Sequence, residues 1–362
     1  MAIRQAASSA RTTTAFGAGG GTALGPTSPE GPSASRTFRT ASEDNLKPPK
    51  GRNLLNSTDE FRVVSWNVEH NGTDSKGKAE RWDLAMDVLT QLSPHVLLRQ
   101  ELTRAEMHGQ RMVWAEARRL GNHTPFLASA TRESANPTGV YVDRDLCDPV
   151  QAFSHGTNLW HPICNPVVQL MDAPTPLSLA SFHLCPYDPG TRAREAKRLA
   201  VLRRPDMEAI LGGDCNSEPH RQSDETAEPT DWSQVEDRSL FEARTIERDG
   251  ERVTDTLPDE ILAGGNDGPP VFVDLAHYAA TVLSQKDPDP LAATASLWRK
   301  DQGPRRRIDR IYATPRIAQA LIRVEVIVTD EVIESSDHAP VIATFSLSAL
   351  RQALTPESVR AA

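Results

Sequence analysis

The pattern of hydrophobic positions predicts alternating strands and helices over most of the chain. Runs of roughly four to eight apolar residues are typical of buried strands, and apolar residues three and four apart are typical of amphipathic helices. Strands are predicted at 61–67, 95–101, 139–142, 167–171, 177–184, 208–211, 305–312, 322–328 and 341–345. Helices are predicted at 78–92, 105–120, 191–203 and 275–283. We therefore expect ordered structure to begin at Phe61.

Three stretches do not follow this pattern. Residues 1–58 are rich in Ala, Gly, Ser, Thr and Pro, and because they cannot bury enough apolar surface to offset their ordering entropy, a disordered tail is predicted. The acid-poor, Arg-containing opening also resembles an organelle transit peptide, which leaves targeting as an alternative. Residues 217–304 are acidic and rich in Pro and Gly, and we expect a long insertion within one domain spanning 59–349. Residues 350–362 are expected to form a C-terminal tail or short helix.

The composition limits the classes of function. The formal net charge of −9 disfavours a protein that coats nucleic acid non-specifically, since such proteins are usually basic. It does not exclude an enzyme that takes a phosphate ester through a bound metal ion, because the ion supplies local positive charge. No apolar run approaches the ~18 residues of a membrane span, and the four cysteines show no paired spacing. We therefore expect a cytoplasmic monomer with no membrane span.

The stretch from Ile210 to Pro219 combines a strand end, a flexible backbone and polar side chains. Gly212 and Gly213 follow the apolar run and permit close backbone approach. Asp214 and Asn216 then stand two residues apart, so that on an extended backbone they face the same way. A carboxylate and an amide at one point suit the handling of water and phosphate oxygens. The same residue types are also common in ordinary turns.

Polar residues at other predicted strand ends extend this set. The candidates are Asn67, Glu101, His183, Asp214, Asn216, Asp309, Asp337 and His338. Active sites recur where several strand ends converge. Glu101 is a hard oxygen ligand of the kind that binds Mg²⁺, and Asp214 can orient and deprotonate a water molecule. The two histidines can donate to phosphoryl oxygens, whose negative charge grows in the transition state.

Each candidate also has an ordinary structural interpretation. Glu101 alone could be a solvated residue at a sheet rim, and His183 a core histidine with satisfied hydrogen bonds. Asp309 could be a surface acid paired with the flanking Arg307 or Arg310, and the Ser-Asp-His loop could be a simple Asx turn. We favour a functional interpretation because the residue types together suit one task.

The candidates fall in six short motifs whose order resembles that of a known superfamily. The motifs are Ser65-Trp-Asn-Val68, Arg99-Gln-Glu101, Ser181-Phe-His-Leu184, Gly213-Asp-Cys-Asn216, Arg307-Ile-Asp-Arg-Ile-Tyr312 and Ser336-Asp-His338. From about residue 61 to 347 the chain resembles the endonuclease/exonuclease/phosphatase superfamily. That superfamily includes deoxyribonuclease-I-like nucleases, exonuclease-III-like apurinic endonucleases, sphingomyelinases, inositol-polyphosphate 5-phosphatases and tyrosyl-DNA phosphodiesterases.

The resemblance implies a fold and an activity. The fold would be an α/β sandwich of two packed mixed β-sheets flanked by helices, in four αββα layers. The activity would be Mg²⁺-dependent hydrolysis of a phosphate ester, with Mn²⁺ as an alternative ion, by a phosphodiesterase or nuclease that takes a phosphate-ester substrate such as nucleic acid. A phosphomonoesterase or lipid phosphodiesterase of the same fold, or a non-catalytic binding protein, is the alternative.

The resemblance also implies which residues bind the metal ion and which activate the attacking water. Glu101 would be the main Mg²⁺ ligand, Asn67 would support the metal site, and Asp337 would lie near the metal. Asp214 would activate the attacking water, and Asn216 would fix the phosphate or the water.

The remaining implied roles concern the histidines. His338 would contact the scissile phosphate with Asp309 as its carboxylate partner. His183 stands where deoxyribonuclease-like members have a histidine and exonuclease-III-like members more often have a tyrosine, which disfavours a dedicated apurinic endonuclease. The chain differs from the pattern of the superfamily in two respects. Arg99 occupies a position that is apolar in many members, and the insertion at 217–304 is long, so the substrate class does not follow from the resemblance.

Overall fold

The structure is a computed structural model that describes residues 59–74, 78–226, 229–265 and 268–356. The predicted tail at residues 1–58 lies outside the described residues. The strands are β1 Glu60–Asn67, β2 Val96–Gln100, β3 His123–Ala128, β4 Thr138–Asp143, β5 Cys147–His155, β6 Ile163–Leu170, β7 Leu177–His183, β8 Glu208–Asp214, β9 Thr245–Arg248, β10 Glu251–Thr254, β11 Val273–Asp274, β12 Asp309–Ala313, β13 Leu321–Val326 and β14 Val341–Ser346. The helices are α1 Glu80–Leu92, α2 Met107–Leu120, α3 Pro189–Ala200, α4 Arg238–Arg244, α5 Leu257–Asp259, α6 Leu275–Thr281, α7 Pro315–Ala318, α8 Asp330–Ser335 and α9 Leu347–Ala353.

The strands form two six-stranded mixed sheets and a two-stranded hairpin. The first sheet has the order β13-β14-β1-β2-β4-β3, and the second has the order β11-β12-β8-β7-β6-β5. In each sheet one central pair is parallel, β1 with β2 and β7 with β8. The two mixed sheets predicted from the sequence are therefore confirmed.

The central strands are apolar on both faces because each sheet is covered on both sides. Side chains of successive strand residues point to opposite faces, so Val63 joins the core between the sheets and Val64 packs under α1 and α2. In the second sheet Ile210 faces the first sheet, and Leu211 faces α3. This continuous burial explains why the sequence shows unbroken apolar runs there.

Two glycines let β8 lie close to its neighbours. A Cβ atom on Gly213 would lie 1.9 Å from the backbone oxygen of Phe182 on β7. A Cβ atom on Gly212 would lie 2.6 Å from Leu98 of the opposite sheet. The close backbone approach expected for these glycines is therefore required at both positions, once within a sheet and once between sheets.

The segment at 217–304 contributes more to the fold than a decorating loop would. Its strand β11 pairs with β12 at the edge of the second sheet, and Phe272 and Leu275 are buried in the cores on the two faces of that sheet. Near its end, the Thr294 hydroxyl oxygen accepts the backbone N–H groups of Ile308 and Asp309. These apolar residues are dispersed among Pro, Gly and acids, so the average composition of the segment conceals them.

The other differences from the predicted elements are small and local. Asp309 begins β12 and does not lie in mid-strand, because the residues before it pair with a loop at Ala295 and not with β8. At the end of the chain, Leu350 and Leu354 are buried, so α9 packs against the core. Within the described residues no helix is long and apolar enough to cross a membrane.

Candidate active site

The strand registers bring the predicted residues to one edge of the sandwich. His183 at the end of β7 lies opposite Asp214 at the end of β8, and Asp214 lies opposite Asp309 at the start of β12. In the first sheet, Asn67 at the end of β1 lies opposite the last residue of β2, directly before Glu101. The carboxyl ends of two parallel pairs therefore meet at the mouth of the sandwich.

A cavity of about 590 Å³ opens at this edge. Six of the eight predicted residues line it, namely Glu101, His183, Asp214, Asn216, Asp337 and His338. The other two, Asn67 and Asp309, lie behind the lining and are hydrogen-bonded to Asp214 and His338, respectively. All eight are therefore brought together.

Asp214 lies at the centre of the polar cluster and is only 2 % exposed. Its Oδ1 atom accepts the backbone N–H of Asn216 at 2.8 Å, and its Oδ2 atom accepts the Asn67 amide at 3.2 Å. The Nε2 atoms of His183 and His338 lie 3.4 and 3.8 Å from the same Oδ2 atom. The carboxylate is thus oriented by four neighbours, three at Oδ2 and one at Oδ1.

Glu101 lies just beyond the end of β2 with a positive φ of 52°, a conformation that is uncommon outside glycine. Its Oε2 atom accepts the backbone N–H of His70 at 2.9 Å, and its Oε1 atom lies 3.4 Å from the Asn67 amide nitrogen. Burial raises the pKa of Glu101, while the contacts with His70 and the charge of His338 oppose that rise. A carboxylate that is buried in this way gains from a nearby cation.

The residues around Glu101 fit a hard divalent cation. The Oδ1 atom of Asn67 is buried and has no hydrogen-bond partner among the described residues. The carboxylate of Asp337 lines the same cavity, with one oxygen accepting the Gln302 amide at 2.8 Å. Carboxylate and amide oxygens are the ligands that Mg²⁺ and similar ions prefer.

His338 and Asp309 form a buried ion pair. The Nδ1 atom of His338 lies 2.8 Å from Oδ2 of Asp309. Burial opposes the charge, but the Asp309 carboxylate, assisted by Asp214 and Asp337, raises the pKa of His338 well above its ordinary value. The imidazole is therefore protonated at neutral pH, with Nε2–H directed toward Asp214 and the cavity.

Oxygen and nitrogen atoms of Asp214, Asp309 and His338 also lie within 4.8 Å of one another, close enough to hold a metal ion. A protonated imidazole cannot ligate a metal. The oxygens of Glu101 and Asn67 offer a second candidate cation site, at which His338 would act as a cationic hydrogen-bond donor and not as a ligand.

His183 is neutral because it is buried near two positive charges, and its ring stacks on that of another histidine. The rings of His161 and His183 lie 3.9 Å apart and are nearly parallel, and His161 Nδ1–H donates to the His183 carbonyl at 2.9 Å. Burial, together with the positive charge of His338 and Arg244, lowers the pKa of His183 to about 3. Burial and the neighbouring His183 lower the pKa of His161 to about 2.

The turn after β8 fixes Asn216 in the cavity wall. Its φ is 49°, a left-handed conformation that asparagine tolerates better than most residues. One hydrogen of its Nδ2 group is donated to the Leu184 carbonyl at 2.9 Å, and the group carries a second hydrogen. Asn216 can therefore still donate to a bound phosphate or water.

Arg99 has a structural role behind the site. It is fully buried, and its guanidinium binds Glu116, the Trp66 carbonyl and the side chain of Asn71. Asn71 belongs to the short 3-10 helix Glu69–Gly72 whose His70 N–H holds Glu101. Arg99, a polar residue of β2, therefore anchors the loop that orients Glu101, the candidate metal ligand.

Several residues of the cavity were not predicted from the sequence. They are His161, Trp160, Tyr187, Arg244, Arg299 and Arg306. None stands at a predicted strand end, and only Arg306 carried a local signal as part of the basic run 305–307. Trp160 and Tyr187 form an edge-to-face pair with ring centroids 5.4 Å apart, and the two arginines Arg244 and Arg306 place positive charge beside Asp214.

The comparisons with known proteins concern the family and the fold. A family model described as Endonuclease/Exonuclease/phosphatase family matches residues 64–338. A search of curated proteins finds no match. The fold is similar to that of D. rerio TDP2 complexed with a single-strand DNA product, at 17 % identity over 80 % of this chain and 99 % of that chain, with a TM-score of 0.52.

Two further solved structures share the fold. The human Nocturnin catalytic domain is 12 % identical over 80 % of this chain and 94 % of that chain, with a TM-score of 0.52. A Bacteroides thetaiotaomicron mannosyl-6-phosphatase is 14 % identical over 78 % of this chain and 98 % of that chain, with a TM-score of 0.51. The family model covers most of the chain, its ends coincide with β1 and the loop before β14, and the chain therefore belongs to the endonuclease/exonuclease/phosphatase family.

Proposed function

We propose that this protein is a metal-dependent phosphodiesterase that cleaves a phosphodiester with a water molecule activated by Asp214. Members of its family are hydrolases that act on phosphate esters. The observation that carries the proposal is the placement of the buried Asp214 carboxylate between His338 and the Asn67 amide nitrogen, which also contacts Glu101. A base, a cationic donor and a cation site thus surround one point of the cavity.

Each polar residue has a part in the reaction that its contacts support. Asp214 accepts the proton of the attacking water, and the Asn67 and Asn216 contacts hold its carboxylate in place. His338 donates through Nε2–H to a phosphoryl oxygen, while Asp309 keeps it charged and oriented. Donors that are fixed before the reaction stabilise the developing charge without reorganisation.

The histidine pair holds the opposite side of Asp214. His183 is neutral and carries one N–H, and its Nε2 atom lies 3.4 Å from Asp214 Oδ2. We propose that this N–H is shared between Asp214 and a phosphoryl oxygen, with the His161 ring fixing the orientation of His183 from behind. His161 is therefore a positioning residue.

Glu101, Asn67 and Asp337 would hold the divalent ion, Mg²⁺ or Mn²⁺. When bound, the ion supplies positive charge that offsets the charge developing on the phosphoryl and leaving oxygens.

The cavity wall supports a phosphodiester that carries an aromatic or nucleotide group. The Trp160–Tyr187 pair lines the cavity, and Tyr187 is 68 % exposed. Such rings stack on bases and aryl groups. The likeness in fold to TDP2 with its DNA product adds support, whereas the likeness to a mannosyl-6-phosphatase keeps a phosphomonoester as the second candidate.

The test is hydrolysis by the full chain with Mg²⁺, Mn²⁺ or EDTA on a panel of phosphate esters. The panel holds single-stranded and duplex DNA, RNA, an aryl phosphodiester, sugar phosphates, inositol phosphates and sphingomyelin. We expect metal-dependent turnover that falls by at least about a thousandfold in Asp214→Asn. Asp206→Asn, an exposed acid before the opposite end of β8, is the matched control and should retain full activity. Equal activity in Asp214→Asn and the wild type would refute the assignment of the base.

A further inference from the structure

Two arginines on the cavity wall lack a carboxylate partner. Arg244 donates to the Asn216 carbonyl, and Arg306 donates to the Gln302 carbonyl. Arg306 is only 5 % exposed, and the Nε atoms of both guanidinium groups are buried without a hydrogen-bond partner in the described part of the chain. Neither forms an ion pair within 4.0 Å with any described residue.

Other buried arginines nearby are paired. Arg192 binds Asp255 at 2.8 Å, and Arg307 binds Glu225 and Asp274. Arg310 resembles Arg244 and Arg306 in having no carboxylate of a described residue within ion-pair distance. It lies outside the cavity, however, and donates to the backbone and hydroxyl oxygens of Ser217. Among the described residues, the cavity-lining arginines that form no ion pair are therefore Arg244 and Arg306.

Holding these two charges together costs electrostatic free energy. Burial, with the neighbouring Arg306 and Arg192, lowers the pKa of Arg244 to about 9, which still leaves it charged at neutral pH. Burial also lowers the pKa of Arg306, while the charges of Glu218 and Asp214 oppose that effect. A bound anion would offset this repulsion.

Arg244 is linked to Asp214 through the carboxylate oxygen that does not contact Asn67. Asn67 connects Glu101 to Asp214 through its amide. On the other side, Asn216 connects Asp214 to Arg244, since its N–H donates to Asp214 and its carbonyl accepts from the guanidinium. A phosphate held over Asp214 would therefore lie between Asn67 and Arg244, and Arg306 lines the same cavity beside Gln302.

We propose that Arg244 and Arg306 form a second anion subsite, which binds a further phosphate group of the substrate next to the scissile one. Which phosphate is cleaved follows from the proposed function, on which this inference rests. The subsite narrows the substrate class to phosphate esters that carry a second phosphate. Guanidinium groups suit such a group because each can bind phosphate oxygens bidentately.

The first experiment measures binding of inorganic phosphate to the metal-free full chain in EDTA by isothermal titration calorimetry. The wild type and Arg305→Gln, a neighbouring exposed arginine outside the cavity, are expected to bind alike. Arg244→Gln and Arg306→Gln are each expected to weaken binding about tenfold or more. Absence of binding to the wild type, or unchanged affinity in both variants, would overturn the subsite.

If a glutamine variant does not fold, Arg244→Lys and Arg306→Lys are measured in its place. These variants keep the charge but lose the bidentate geometry, and circular dichroism verifies that they are folded. They are expected to bind phosphate several-fold more weakly than the wild type. Affinity equal to that of the wild type in both would again overturn the proposal.

The second experiment separates the subsite from the reaction. The p-nitrophenyl ester of thymidine 5′-phosphate is compared with the same ester carrying a 3′-phosphate. We expect the wild type to favour the second compound in kcat/KM, and Arg306→Gln to reduce that preference about tenfold. Equal losses on both compounds would assign the arginine to the scissile phosphate and overturn the subsite. Phosphate binding that is lost in the arginine variants of a protein without hydrolytic activity would instead refute the proposed function and retain the subsite.

Discussion

At the scale of single residues, the Asn67 side chain lies between the carboxylates of Asp214 and Glu101 and contacts both. Its amide nitrogen lies 3.2 Å from Asp214 and 3.4 Å from Glu101, and its buried carbonyl oxygen has no hydrogen-bond partner in the part of the chain that the structure describes. The same side chain therefore donates to the proposed base and offers an oxygen to the proposed cation. An amide can do both because it carries a donor and an acceptor without adding charge.

Replacing Asn67 with alanine should lower kcat about a hundredfold, a loss typical of a single fixed donor at a catalytic charge. Because the oxygen is also removed, we expect a higher Mg²⁺ concentration at half-maximal activity. Steady-state rates across a Mg²⁺ titration measure both effects. The exposed Asn122→Ala should leave both values unchanged, and normal rates in Asn67→Ala would show that the amide has no part in the site.

At the scale of elements, the site depends on how closely β7 and β8 approach. Parallel pairing places His183 opposite Asp214, and a side chain at Gly213 would collide with the backbone of Phe182 one position earlier. Strand register therefore decides which side chains meet, and the glycine permits that register. The segment at 217–304 also positions a strand of the site, because the Thr294 hydroxyl group binds the backbone of Asp309 at the start of β12.

Gly213→Ala should destabilise the fold by about 3 kcal/mol, at the upper end of overpacking costs. The added methyl group would require the two hydrogen-bonded strands to separate. Urea denaturation followed by circular dichroism measures the free energy of unfolding. Gly156→Ala is the matched control, since its nearest contact would be 3.8 Å away. A loss no larger than that of the control would contradict the close approach of the strands.

Several parts of the fold and site could be predicted at these two scales. Polar residues such as Glu101 and Asp214 interrupt apolar runs at strand ends, and this local signal is visible without any structure. His161 carries no such signal, because it follows Trp160 in a loop between strands. Its contact with His183, 22 positions away, exists only after β6 and β7 have paired.

At the scale of the whole molecule, buried neutral histidines link folding to pH. The pKa of His161 is about 2 in the folded protein and ordinarily 6.5, so the unfolded chain binds a proton below pH 6.5 that the folded chain does not. His338, whose pKa is raised, acts in the opposite direction, but the contribution of His161 to stability is complete above pH 6.5 and falls as the pH decreases. His183, with a folded pKa of about 3, acts in the same direction.

Between pH 7.5 and 5, His161 alone should account for about 2 kcal/mol of lost stability. His161→Gln should therefore lose less stability over that range than the wild type, although it is less stable at pH 7.5. Urea denaturation at both pH values measures the difference. His108→Gln, at an exposed position, should show the wild-type dependence. The same dependence in His161→Gln would show that this histidine is not buried in the neutral form.

The sequence by itself determined the alternation of apolar runs, the two-sided burial of the central strands and the polar residues at their ends. These features are local, since they depend on neighbours within a few positions. Only the tertiary structure decided which side chains surround Asp214. The stacking of His161, the uncompensated charges of Arg244 and Arg306, and the role of Arg99 behind Glu101 depend on contacts between distant segments. Such contacts are fixed by strand register and packing, which no single stretch of sequence encodes.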